Sequence, residues 1–390
     1  MTAQGANQRY DAIVVGVGSM GSATCLHLAR RGARVLGLEQ FGLPHAHGSH
    51  HGYTRMIRLA YHENPHYVTL VRRAFDLWQE LERHSGQKLM HVTGGLYMGT
   101  PDCSLVAGSL AAARQHGLAH EMLDHDTLAQ RYPCFNLPDR HVAFYESLAG
   151  LLLPQDCVAA MADQAMRRGA RIHGHEPVLD WSCDDRGVTA RTARATYQAD
   201  TLIFCGGAWS GRLLGQIGVS LSVTRQVMGW TWPADPDQFA LGRFPTWAID
   251  PDADQYEGLY YGFPMLAVNP GFKIAAHIPA TPVDPTTFVH DAQASDEDVF
   301  RPALRRLVPD ADGPLLSIQT CLYTNSPDGH FIIDRHPNHP RVLMACGFSG
   351  HGFKFAAVVG EALADMAVEG ETELPIGFLG LSRFNEQRGR

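Results

Sequence analysis

One turn constrains the fold of this chain more than any other feature: Gly16-x-Gly18-x-x-Gly21. It follows a short β-branched run, DAIVV at 11–15, and opens a helically spaced segment that stops at Gly32. ARVLGLE at 33–39 then reads as a second strand. Strand, tight turn, helix and strand predict a parallel pair joined by a right-handed crossover. Gly16 permits the turn, Gly18 lets backbone approach a pyrophosphate, and Gly21 lets the helix lie close to the strand. The pyrophosphate then sits on the helix N-terminus, at Ser19 and Met20, where free N–H groups and the dipole favour an anion. Glu39 ends the second strand, where a carboxylate accepts from a ribose 2′-hydroxyl and repels a 2′-phosphate. A glycine-rich packing turn is the plainer alternative. The flanking elements and Glu39 favour an adenine dinucleotide.

A chain of 390 residues is long enough for two or three units. An apolar share of 45% against 18% charged residues is that of an ordinary globular protein, and a net charge of −8 argues against nucleic acid or an anionic membrane as the main partner. The first residues lack a basic start with an apolar stretch behind it, and no apolar run is long enough to span a bilayer. A cytoplasmic protein is expected. The eight cysteines are scattered with no CxxC pair, so they are expected reduced and mostly buried as small apolar residues.

Residues 66–84 carry a helical apolar stripe. Residues 87–99 and 142–154 read as short strands, and 104–117 and 156–169 as helices. ADTLIFCGGAW at 199–209 is a strand running into glycines. From 220 to 280 the text turns β-rich and aromatic, and a helix is expected at 297–308. VLMAC, GFSGHG and FKFAAVVGEALADMAVEG close the chain as strand, turn and helix. The fold class expected is α/β (α+β), a Rossmann-type dinucleotide domain from 1–95, 150–220 and 320–390. A mainly antiparallel substrate domain, 96–149 and 221–319, is inserted into it.

Three features favour FAD over NAD. Gly206 follows a second buried strand, where backbone again approaches the cofactor. Residues 347–352 precede the last helix, whose positive end suits the pyrimidine ring of a reduced flavin. A compact second half of dehydrogenase type is also lacking. Arg55 and Arg58, three apart, are expected on one helix or turn face ready for a carboxylate or a flavin, with an ordinary solvated pair as the alternative. His45, His47, His50 and His51 lack the carboxylate or cysteine partners of a zinc site, and no metal is expected. Lys273 and His277 share a face of one strand. A buried lysine there either is paired and structural or stabilises charge developing on oxygen.

Five segments carry a resemblance that runs almost end to end: VVGVGSMGSA; PHAHGSHHGYTRMIRLAYHENPHYV; YYGFP with GFKIAAH; TCLYTNSPDGHFIID; and ACGFSGHGFKFAAVVGE. In these the chain resembles the monomeric sarcosine oxidase and N-methyltryptophan oxidase family, FAD-dependent amine oxidases related to D-amino-acid oxidase. The resemblance implies a thioether from Cys321 to the flavin 8α-methyl group and oxygen activation by Lys273. It implies Arg55 beside the flavin, Arg58 and Lys354 on the substrate carboxylate, and Tyr261, His277, His351 and Tyr323 around the substrate amine. It extends the cofactor contacts from Gly16, Gly18, Ser19, Met20, Gly21 and Glu39 to Ser49, His50, Thr54, Arg55 and Val178. Near the flavin it adds Gly206, Cys321, Gly347, Gly350, His351, Gly352 and Lys354.

Tyr53 stands where the family usually has Asp. Ala248 stands where sarcosine-specific members keep a larger aliphatic residue, and the spacer MLAVNP before Lys273 also differs. These departures leave the chemistry intact and the substrate open. The function implied is an oxidase of N-methyl amino acids such as sarcosine, using O2 and acting as a monomer. An N-methyl-L-tryptophan or cyclic imino acid oxidase is an alternative, as is a flavin dehydrogenase with another acceptor. A non-catalytic dinucleotide-binding protein is the third reading, against which Cys321, Arg55, Arg58, Lys273, His277 and Lys354 together speak.

Overall fold

Tyr10–Val15 is apolar and buried along nearly its whole length, which suits a strand covered on both faces. It lies between Val35–Leu38 and Thr196–Phe204, parallel to both. The computed structural model describes residues 9–215, 217–251, 258–267 and 271–387. In it these strands form the centre of an eight-stranded sheet. Arg171–His173 extends one side in parallel, and Asp180–Asp184 and Gly187–Arg191 extend the other as an antiparallel hairpin. His339–Cys346 joins the far half of Thr196–Phe204 in parallel. Helix Ser19–Arg30 is buried from Met20 to Ala29 because it is wedged between Ala356–Val368 and Pro154–Arg167. The start, middle and end of the chain thus build one layer.

The second eight-stranded sheet runs in the order 315–325, 222–231, 272–277, 259–263, 246–249, 95–99, 142–146, 121–123. Every junction is antiparallel except that of Thr246–Ile249 with Gly95–Gly99. One face packs on helix Arg301–Leu307 through Trp247, Phe272, Phe239 and Phe300. Each such side chain, fully buried, contributes about 1.5–3 kcal/mol. A three-stranded sheet, Arg55–Ile57, Gly150–Leu152 and Met90–Val92, completes the β-structure of the described residues.

The long helix is Tyr67–Ser85, ended by Gly86 at φ 70°. The helix expected at 297–308 begins only at Arg301, after a 3-10 turn at Ala294–Val299. The shared helix or turn face expected of Arg55 and Arg58 is corrected: Arg55 starts a strand paired with Leu152, and Arg58 follows its end. Short strands at 171–173, 180–184, 187–191 and 332–336 carry no strong periodicity and were not expected. Residues 1–8 and the end of the MLAVNP spacer, 268–270, lie outside the described residues. No helix among the described residues is long and apolar enough to cross a membrane.

Candidate active site

The first strand delivers Gly16 at φ 85°, where a Cβ would lie 2.5 Å from the Cys205 carbonyl oxygen. At Gly21 a Cβ would stand 1.8 Å from the Gly16 carbonyl oxygen, so only glycine lets the helix sit over the turn. No side chain caps that helix. Its first N–H groups therefore stay open to a cavity of about 520 Å³ that Gly16, Gly18, Ser19 and Met20 line. Glu39 and Val178 stand in its wall, as do Gly206, Gly347, Gly350 and Gly352.

The Glu39 carboxylate accepts from the Val17 N–H at 2.7 Å and the Phe41 N–H at 3.0 Å. Burial raises its pKa, and these donors oppose the rise. Ser49, His50 and Arg55 form another part of the wall. Burial holds the His50 imidazole at about 3, hence neutral, and its buried Nε2 has no hydrogen-bond partner among the described residues. An uncapped helix start, a buried imidazole whose Nε2 is unpartnered among the described residues and a fixed carboxylate at the second strand's end fit an adenine dinucleotide.

Arg55 lines this cavity and a second one of about 370 Å³, and so do Tyr323, Gly350 and Phe353. Its guanidinium knits the preceding loop: Nη1 donates to the Thr54 carbonyl at 2.8 Å, and Nη2 to the carbonyls of Ser49, at 2.8 Å, and His51. Arg58, Lys354, Tyr261, His277 and His351 line the second cavity. His277 Nδ1 lies 3.4 Å from the Tyr323 hydroxyl, which also shares a hydrogen bond with Tyr261. Burial lowers the His277 pKa, so this face of the cavity is uncharged at neutral pH.

The two cations differ. Arg58 Nη2 meets both Glu63 oxygens, at 2.8 and 2.6 Å, and Nη1 donates to the Ala60 carbonyl. That pairing holds the Glu63 carboxyl well below the usual carboxylate range despite burial. Among the described residues Lys354 has no carboxylate within ion-pair reach; it donates to the His351 carbonyl at 2.8 Å. Burial, and then the Arg58 charge, bring its pKa down to about 7.

Four expected site residues, Gly21, Thr54, Lys273 and Cys321, stand behind the walls. Lys273 is buried, and its ammonium donates to the carbonyls of Gly52 and Thr54 and to the Thr54 hydroxyl, at 2.7–3.0 Å. Burial pushes its pKa well down. Thr54 is therefore its holder. Cys321 is buried among Met228, Trp230, Ala275 and Tyr323, while its neighbours Leu322 and Tyr323 reach the first cavity. Burial raises its thiol pKa, with Arg55 and Lys273 pulling the other way.

Sequence reasoning missed Glu63 and Tyr61. Both lie in the LAYHEN stretch, and an acid five residues after Arg58 was the available signal. It also missed Glu146, whose buried carboxylate accepts from the N–H groups of Leu59 and Ala60 and so fixes the backbone beside Arg58.

The profile of the DAO family, described as FAD dependent oxidoreductase, matches residues 11–366. Monomeric sarcosine oxidase of Streptomyces avermitilis is 44% identical over 376 residues, which cover 94% of this chain and 96% of that protein. N-methyl-L-tryptophan oxidase of Escherichia coli strain K12 is 36% identical over 386 residues, 96% of this chain and all of the other. Among solved structures, NikD, an unusual amino acid oxidase essential for nikkomycin biosynthesis, superposes with a TM-score of 0.84 at 26% identity, covering 96% of this chain and 98% of NikD.

Proposed function

Because this chain belongs to the DAO family of FAD-dependent oxidoreductases and is a flavin-dependent amine oxidase, we propose that it demethylates N-methyl α-amino acids. With sarcosine, O2 and water the products are glycine, formaldehyde and hydrogen peroxide. One observation carries this reading. The second cavity opens beside the dinucleotide cavity at Arg55, Tyr323 and Gly350, and its wall holds Arg58 and Lys354 as well as Arg55, with the carboxylates of Glu63 and Asp328 and the uncharged His277, Tyr261 and Tyr323.

In this reading the substrate carboxylate sits on Arg58 and Lys354, and Glu63 yields its place on Arg58. The amine enters as the free base on the side of His277, Tyr261 and Tyr323. FAD, when bound, takes up the electron pair and passes it to O2. Gly16 to Gly21, Glu39 and His50 would hold its adenosine and phosphate part, and Cys321 would bind the flavin covalently. Lys273, held by Gly52 and Thr54, supplies positive charge where negative charge develops on oxygen. Eight unpaired cysteines fit a reducing compartment, and the proposal includes a cytoplasmic monomer.

A bulkier substrate is the second reading. A cavity of about 370 Å³ with Ala248, Leu105 and Leu259 in its wall has apolar room beyond what sarcosine fills. The deciding experiment is a peroxide assay with sarcosine, N-methyltryptophan, pipecolate and proline. Peroxide from at least one N-methyl substrate is expected. No bleaching of the flavin by any of the four would overturn the proposal, and bleaching without peroxide would make the chain a dehydrogenase.

A further inference from the structure

Tyr61 is fully buried and belongs to neither cavity wall, yet it touches Lys354 and two of the polar groups beside it, Arg58 and His351. The Arg58 guanidinium stands 4.4 Å and the Lys354 ammonium 5.1 Å from the centre of its ring. A tyrosine face attracts cations through the ring quadrupole, and more strongly where water is excluded. Two like charges that would repel each other are thus held by one ring.

The hydroxyl of Tyr61 has a determined direction. His351 Nε2 lies 3.0 Å from the Gly329 carbonyl, which can only accept, so Nε2 carries the proton. Burial holds His351 at about 3, so the ring is neutral and Nδ1 is bare. Nδ1 lies 2.5 Å from the Tyr61 oxygen and must accept its proton. The Tyr61 oxygen then faces Lys354 Nζ, at 3.5 Å, as an acceptor. The chain runs Lys354 to Tyr61 to His351 to the Gly329 carbonyl, each donor pointing the same way.

We propose that Tyr61 is the positioning residue of the two-cation carboxylate clamp: its ring seats Arg58 and Lys354, and its hydroxyl, oriented by His351, keeps Lys354 protonated. This rests on the reading of Arg58 and Lys354 as the carboxylate seat. Lys354 is faced by Arg58, Glu63, His62, His277 and His351, and Asp328 and His330 line the same cavity. Burial holds His62 and His351 at about 3 and lowers His277, Arg58 stays charged, and Glu63 is held well below its usual range. Of Lys354 and the groups that face it directly, the one left to titrate between pH 6 and 9 is Lys354 itself, whose pKa stands at about 7. Its charge is present below that value and lost above it.

The test is calorimetric binding of methoxyacetate, which keeps the carboxylate of sarcosine and replaces its amine by an ether oxygen, to the FAD-loaded enzyme from pH 6 to 9. In the parent, Kd climbs as the pH passes the Lys354 value. Tyr61→Phe keeps the ring and removes the acceptor, so the climb begins about half a pH unit lower while Kd at pH 6 changes little. Tyr61→Leu also removes the ring and weakens binding at pH 6 roughly threefold to tenfold. A Tyr61→Phe profile that superimposes on the parent's overturns the proposal. Arg58→Ala separates the two readings. If it binds methoxyacetate like the parent, the carboxylate seat itself is wrong. If it weakens binding while Tyr61→Phe shifts nothing, only the role of Tyr61 falls.

Discussion

Arg58 shows what a single residue does when its partner is internal. It is almost fully buried, and Glu63 neutralises it. Arg58→Ala leaves the Glu63 carboxylate without its cation, and stranding a buried charge costs about 1–3 kcal/mol where one partner keeps some contact with water. Arg58→Ala is expected to lower the urea midpoint, and adding Glu63→Gln should restore most of the loss without restoring substrate affinity. A double variant no more stable than the single one would show that Glu63 is not what Arg58 neutralises. Cys321 makes a second prediction at this scale. Acid-precipitated parent protein should stay yellow, and Cys321→Ser should release its flavin to the supernatant. A colourless parent precipitate would contradict the thioether.

Among the elements, the helix Ser19–Arg30 is positioned by the absence of a side chain. The missing Cβ of Gly21 is all that separates it from the Gly16 carbonyl. Gly21→Ala must push the helix off the turn, at a cost of about 1–3 kcal/mol or more, and move its open N–H groups away from the cavity. The expected outcome is a lower melting temperature together with a lower ratio of flavin to protein absorbance. An unchanged ratio would mean that the turn does not hold the cofactor. This element was legible because every rule that builds it is local: strand run, glycine spacing, helical stripe and stop. The strand at 55–57 was not. Three residues carry too little pattern to outweigh the arginine spacing, and the strand exists because Gly150–Leu152 pairs with it from far along the chain.

For the whole molecule, the two large sheets bring residues from both together. Arg55 and Arg58 come from the first part of the chain, Tyr261, Lys273 and His277 from the second sheet, and His351 and Lys354 from the turn after the last parallel strand. Every residue named for the proposed site comes from this chain, in keeping with the proposed monomer. A particle of one-chain mass that keeps full activity is therefore expected from light scattering at assay concentrations. Activity confined to a larger species would contradict the monomer.

Taken alone, the sequence determined the crossover at 10–38, the open helix start and the acid at Glu39, because these follow from backbone sterics and spacing within a few turns. Through its segments it also determined the family. It did not show that Arg58 already holds a carboxylate, that Lys273 and Cys321 stand behind the cavity walls, or that Tyr61 links Arg58, Lys354 and His351. Those contacts join residues up to 293 positions apart. Side chains so distant meet only once strand order and register place them, and a burial-shifted charge such as that of Lys354 exists only after the tertiary structure has excluded water from it.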